Sequence, residues 1–163
     1  MKRILIAGAA LAACGILAVA AIGLRAAEQA DVQRGRYLVT IGGCNDCHTP
    51  GYLMKAGNVP EDRWLVGDSI GFSGPWGTTY PSNLRSLLAK MSEDEWVQYA
   101  RALQTRPPMP WFNLRAFTED DLRAMHRYIR SLPSDDRPVP DYVPPDRQPR
   151  TPHIVMVPQE PKP

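Results

Sequence analysis

Two thiols and an imidazole stand together in Cys44-Asn45-Asp46-Cys47-His48. Two cysteines separated by two residues can each form a thioether to a porphyrin vinyl group, and the histidine that follows directly can reach the iron. The pentapeptide therefore predicts one covalent haem c, attached through Cys44 and Cys47 with His48 as an axial ligand. The same spacing also serves zinc knuckles and thioredoxin-type redox pairs. A structural zinc site closes with four ligands, yet there is no second cysteine pair and the other histidines are His126 and His153. A redox pair opens a helix within an alternating strand and helix pattern, which this sequence lacks. Both readings are weaker than haem attachment.

The second axial position decides whether such a protein transfers electrons or binds small molecules. A methionine thioether favours ferrous iron and seals the site, and six methionines compete. Met1 starts the chain, Met54 is only six residues from His48, Met91 precedes a helix, Met125 lies on a core face, and Met156 is near the C-terminus. Met109 sits in Arg106-Pro107-Pro108-Met109-Pro110, where prolines restrict the backbone on both sides and reduce the entropy lost when sulfur binds. Met109 is the expected sixth ligand, and a gap-filling methionine in a proline-rich turn is its bland alternative. His126 is a lesser choice, because a histidine in a helix beside Arg127 is more often a surface residue.

Haem attachment of this kind happens outside the cytoplasm, which calls for an export signal and a periplasmic location. Met1-Lys2-Arg3 precedes an uncharged run over residues 4–24, whose 21 residues would form a helix of about 31 Å. Three fates are open: cleavage after the small residues Ala18-Val19-Ala20, lipidation of Cys14 in Leu11-Ala12-Ala13-Cys14, or retention as a membrane anchor. Residues 1–27 are thus a signal peptide or anchor. Cys14 leaves the haem cysteines without a disulfide partner in the exported part. Without Lys2, Arg3 and Arg25 the basic count falls from 19 to 16 against 17 acidic residues, so the net charge moves from +2 to −1. With both signs interspersed, nucleic acid is not the partner.

Residues 28–133 make one small domain. A helix over residues 28–42 ends at Gly42-Gly43, just before the haem motif. Residues 49–91, rich in glycine and proline and carrying Trp64, Phe72, Trp76 and Tyr80, read as loops wrapped on a flat apolar group. Ser92-Glu93-Asp94-Glu95 is a capping box opening a second helix that ends near Thr105, and Thr118 to Asp121 opens a third that carries Leu122, Met125, Ile129 and Leu132 on one face. The expected fold is all-α: three to four helices and long loops around one covalent haem c. From Pro133 onward, ten of the chain's 17 prolines forbid a helix. This extended tail, residues 134–163, either lies along the domain or a partner through Val139, Tyr142 and Ile154-Val155-Met156-Val157, or is mobile; its lack of apolar periodicity favours mobility.

In this order the residues resemble the class I, monohaem cytochrome c domain: Gly35-Arg36-Tyr37, then Cys44 to Pro50, Pro108-Met109-Pro110, and Leu122 to Leu132. The resemblance covers residues 32–133. It implies crossing first and last helices, with Gly35 and Tyr37 against the segment around Met125, Tyr128 and Ile129. Residues 74–84 also resemble the haem-edge segment of cytochrome subunits of bacterial membrane-bound alcohol and aldehyde dehydrogenases. Those subunits usually carry several haem motifs where this chain has one, and Arg85-Ser86-Leu87 departs from their pattern. The likeness implies haem-edge or propionate contacts for Trp76, Tyr80 and Asn83.

The function these observations favour is one-electron transfer, with iron cycling between Fe(III) and Fe(II) under His48 and Met109 ligation. The partners would be redox proteins: a dehydrogenase donor, and an oxidase or another cytochrome as acceptor, with the membrane reached through the N-terminal segment. The chain would be a carrier or an oxidoreductase subunit and not itself an enzyme. The alternative is a haem enzyme or small-ligand sensor with an open sixth site, against which no distal histidine is evident. A third reading is a docking subunit whose tail matters more than its redox chemistry.

Overall fold

The computed structural model describes the backbone of residues 2–158 and 161, and the side chains of residues 21–23, 25–158 and 161. The expectations resting on Cys14 and on Ala18-Val19-Ala20 fall on side chains outside that description. Among the described residues no helix is long and apolar enough to cross a membrane.

Helix α1 (Lys2–Ile41) buries Leu38 and Val39 near its end. The Gly42 N–H bonds to the Leu38 carbonyl at 2.8 Å, and Gly43 takes a φ of 69°, a left-handed turn that glycine adopts without a Cβ penalty. Helix α2 (Cys44–His48) therefore begins at once, and the haem motif forms its own short helix. Two single 3₁₀ turns, Leu53–Lys55 and Glu61–Arg63, follow. Helix α4 (Glu93–Ala102) starts on the expected capping box, with the Ser92 hydroxyl accepting from the Glu95 N–H while the Glu95 carboxylate accepts from the Ser92 N–H. Helix α6 (Glu119–Ser131) is capped by Thr118 and buries Leu122, Met125 and Ile129. Helices α3 (Leu84–Leu88) and α5 (Trp111–Ala116) are additional to the expected set.

The scaffold is the crossing of α1 and α6. A Cβ built on Gly35 would lie 2.0 Å from the Ala124 carbonyl oxygen and 2.7 Å from the Tyr128 Cβ, so the two backbones meet with no room for a side chain. Tyr37 does not join this contact and is 52% exposed. It lies two residues beyond Gly35, about 200° round the helix, whereas Leu38 and Val39 return to the buried face. Helix α4 packs on α6 through Trp96, whose buried indole N–H donates to the Leu122 carbonyl at 2.9 Å. Ion pairs overlie the junction: Arg127 binds both oxygens of Glu93 and also Asp31, and Arg34 meets Asp121 at 2.9 Å.

The molecule is mostly helical but not all-α. Strands β1 (Gly71–Gly74) and β2 (Gly77–Thr79) pair antiparallel, and β3 (His153–Val155) pairs parallel to β1 with Phe72 opposite Ile154. None of the three is long enough to display alternation, and β3 comes from a segment some 80 residues downstream of its partner.

That third strand belongs to the proline-rich tail, whose described residues, 134–158, are docked against the domain. The Asn83 side-chain amide donates to the Asp135 carboxylate at 3.0 Å, and buried Arg85 donates to the Pro133 carbonyl at 3.0 Å. Val143 exchanges both backbone bonds with Thr78, at 2.7 and 3.0 Å, and the Tyr80 hydroxyl bonds that of Thr151 at 2.9 Å. Where the tail passes, glycines make way: a Cβ on Gly67 would stand 2.4 Å from Val139 Cγ1, and one on Gly77 2.4 Å from the Val143 oxygen. Backbone pairing, side-chain hydrogen bonds and close approach, rather than an apolar face, hold the tail. That is why its composition suggested mobility.

Candidate functional site

Between the helical scaffold and the β-hairpin runs a cleft of about 1200 Å³, part of it open to solvent. Cys44, Cys47, His48, Tyr80 and Met109 all line it. Its remaining walls are mainly apolar: Phe72 from β1, Leu84 and Leu87 from α3, Trp96 and Leu103 on the α4 side, Leu114 and Phe117 at α5, and Met125 and Ile129 from α6. The haem motif, the segment over residues 74–84 and the proline-held Met109 loop thus each deliver a side chain to one concavity.

His48 is buried, and its Nδ1 lies 2.7 Å from the Ser82 carbonyl oxygen. A carbonyl can only accept, so Nδ1 carries the proton and Nε2 keeps the lone pair that a metal needs. Burial pushes the imidazole below its ordinary pKa, with the Ser82 bond opposing, so the ring is neutral at pH 7. A hydrogen bond from the other ring nitrogen to a carbonyl is the usual way a ligating histidine is oriented. No residue-type pattern announces it, because every residue has a carbonyl. Around the motif, the Thr49 hydroxyl donates to the buried Asn45 side chain at 2.7 Å and accepts from the Leu65 N–H at 2.8 Å, pinning α2 to the following loop.

Burial pushes the Cys44 thiol up to about 11, and Cys47 is raised for the same reason. Both are protonated at neutral pH, the reverse of the lowered pKa that activates a thioredoxin-type pair. Among the described residues no group of three or more His, Cys, Asp or Glu side chains is placed to hold a metal ion. The donor set suits a flat apolar group held by two thiols, with one neutral imidazole and one thioether in the same cleft.

Met109 lies in the loop between α4 and α5, half-buried, with the Trp111 N–H bonded to its carbonyl at 2.9 Å. Two expected haem-edge residues are elsewhere. The Asn83 side chain caps α3, accepting from the Ser86 N–H at 3.1 Å, and its amide is spent on the tail. Trp76 lies over Gly74 at the hairpin tip, with its indole N–H unpaired. Neither is among the cleft-lining residues. His126 is buried rather than on the surface; its Nε2 lies 2.9 Å from the Met91 carbonyl, away from the cleft. Sequence reasoning passed over Ser82, Tyr99, Arg106 and Asn113, which the cleft also includes.

Comparisons with known proteins agree with this chemistry. The chain is 30% identical over 124 residues, 68% of its length, to the cytochrome c subunit of gluconate 2-dehydrogenase from Pantoea cypripedii. It is 27% identical over 129 residues, again 68% of its length, to the cytochrome c subunits of the quinone alcohol dehydrogenases of Gluconacetobacter polyoxogenes and Komagataeibacter europaeus. The matched region spans only 28% of the first relative and 25% of the other two. No family model matches the chain, and no solved structure does.

Proposed function

We propose that this chain is an electron-transfer cytochrome domain, residues 28–133, carrying one haem c bound through Cys44 and Cys47, with His48 and Met109 as axial ligands and the described part of the tail, residues 134–158, as a docked strap. It works outside the cytoplasm, accepting electrons from a dehydrogenase and passing them to an oxidase or another cytochrome. The convergence of Cys44, Cys47, His48 and Met109 on one apolar cleft carries the reading. The similarity to cytochrome c subunits of dehydrogenases supports the class of partner.

Bound haem supplies a one-electron Fe(III)/Fe(II) couple. The chain's own residues do the rest. The two cysteines would fasten the group so that it cannot dissociate, and the Ser82 carbonyl holds His48 in the tautomer whose Nε2 is free to ligate. Met109 would offer a neutral sulfur, which favours the ferrous state and would keep a gas or peroxide from the iron. Apolar walls from α3, α4 and α6 exclude water, which keeps the surroundings rigid when the charge of the site changes by one.

The full chain, produced in a periplasm with a haem maturation system, is expected to stain for covalent haem on a denaturing gel. Absence of staining removes the whole reading. Met109→Ala is expected to abolish the weak near-infrared band of methionine-ligated ferric haem and to open the reduced iron to carbon monoxide. Persistence of the band shows that Met109 is not the ligand. Rapid carbon monoxide binding by the unsubstituted reduced protein replaces the carrier reading with that of an open-site enzyme or sensor.

A further inference from the structure

Of the described side chains that line the cleft, Arg106 alone is charged at neutral pH. It makes no hydrogen bond or ion pair with any described residue; its guanidinium instead sits 3.6 Å from the centroid of the Tyr142 ring. Tyr142 is in the C-terminal tail, 36 positions on, and its placement is built. Its hydroxyl donates to the Trp76 carbonyl at 2.8 Å, the adjacent Val143 exchanges backbone bonds with Thr78, and Gly77 leaves the space where a Cβ would stand 3.0 Å from the ring. From the other side, the Thr79 hydroxyl donates to the carbonyl of Pro107 at 3.0 Å, tying β2 to the residue after Arg106. A cation is thus fixed at the rim of an apolar cleft, facing no anion among the described residues.

We propose that Arg106 is the charge partner of a haem carboxylate in this cleft and that Tyr142 positions it, which makes the tail a working part of the site. This rests on haem occupying the cleft. A guanidinium is a planar fork that matches a carboxylate with two parallel hydrogen bonds, and it stacks on an aromatic face without giving up its charge. Fixed positive charge beside the group disfavours the ferric state, which carries one more positive charge than the ferrous. Arg106 therefore raises the midpoint potential, and the tail sets it from outside the domain. Tyr142 is a positioning residue that acts through Arg106.

The test is optical redox titration of the full, haem-loaded chain. Arg106→Lys, Arg106→Leu and Arg106→Glu are expected to lower the midpoint in the order of side-chain charge: Lys near the unsubstituted protein, Leu lower, Glu lowest. All three should stain equally for haem, because Arg106 is exposed and supports no buried contact. Where Arg106→Leu fails to accumulate, Arg106→Gln supplies the neutral point. Tyr142→Leu is expected to give part of the Arg106→Leu shift and to add nothing when combined with it. Haem-loaded variants that share one midpoint overturn the role of Arg106, and a Tyr142→Leu shift that adds in full to Arg106→Leu overturns the positioning role. An unsubstituted chain that takes up no haem overturns the reading beneath both.

Discussion

The two walls of the cleft are made in different ways. One is helical: α1 and α6 meet backbone to backbone at Gly35, and α4 is fixed to them by the Trp96 indole and by arginine–carboxylate pairs. The other is a relay of the hairpin, α3, the Met109 loop and the tail, in which no regular element exceeds five residues. The helical wall is close-packed, and packing of that kind fails when volume is added. The relay wall is held by single hydrogen bonds, each worth about 1 kcal/mol net, and by glycines at positive φ. Stability is concentrated in the first wall. The parts that approach the site, Ser82, Met109 and Arg106, lie in the second, where one substitution changes a placement without unfolding the domain.

Gly35→Ala is the strongest challenge to that contrast. The added methyl would meet a main-chain oxygen at 2.0 Å, which no side-chain rotation relieves, so α1 and α6 must separate. Overpacking of this severity costs about 3 kcal/mol. In a domain near 100 residues this lowers Tm by roughly 12–24 °C, read by thermal circular dichroism. A loss of only a few degrees would mean that the crossing yields and that the helical wall is no stiffer than its opposite.

Gly67→Ala attacks the relay wall. Gly67 has a φ of 77°, and its missing Cβ would stand 2.4 Å from Val139 Cγ1 and 2.8 Å from the Pro81 oxygen. The left-handed backbone costs an alanine about 1 kcal/mol, and Val139 must leave. Faster amide exchange is expected over residues 139–156, with α1 and α6 unchanged. Exchange that quickens equally in both walls would show that tail and scaffold open as one unit and dissolve the distinction.

The same contrast governs what could be read in the sequence. Caps are local signals, so Ser92 with Glu95 and Thr118 with Asp121 located α4 and α6, and Gly42-Gly43 located the end of α1. Helix α5 starts on Pro110 with no side-chain cap and runs six residues, leaving nothing periodic to find. Asn83 was legible as a special residue, and one signal it carried was that of an N-cap, Asn before the first residue of α3. The cleft residues were legible where chemistry dictates the side chain, at Cys44, Cys47, His48 and Met109. Arg106 was not, because the ring it stacks on, Tyr142, arrives from a tail docked by scattered backbone and side-chain bonds that follow no sequence period.

The smallest effect expected distinguishes the walls by pH. The Glu95 carboxylate accepts from the Ser92 N–H at 2.7 Å and from its hydroxyl at 2.8 Å, and these bonds hold its pKa below the ordinary glutamate value. A carboxyl depressed in the folded state contributes stability that is fully present above its unfolded pKa, about 4.3, and is lost as the pH falls through the folded value. Glu95→Gln keeps a side-chain oxygen but not its charge, so the difference in Tm from the unsubstituted protein is expected to be largest at pH 7 and to shrink toward pH 3. Because Glu95 is fully solvated, salt should shrink it as well. Exchange over the tail should not change at either pH, since no bond of the capping box reaches the relay wall. A difference in Tm that stays constant with pH would mean that the box works by shape alone, and the helical wall would then owe nothing to the charge at its start.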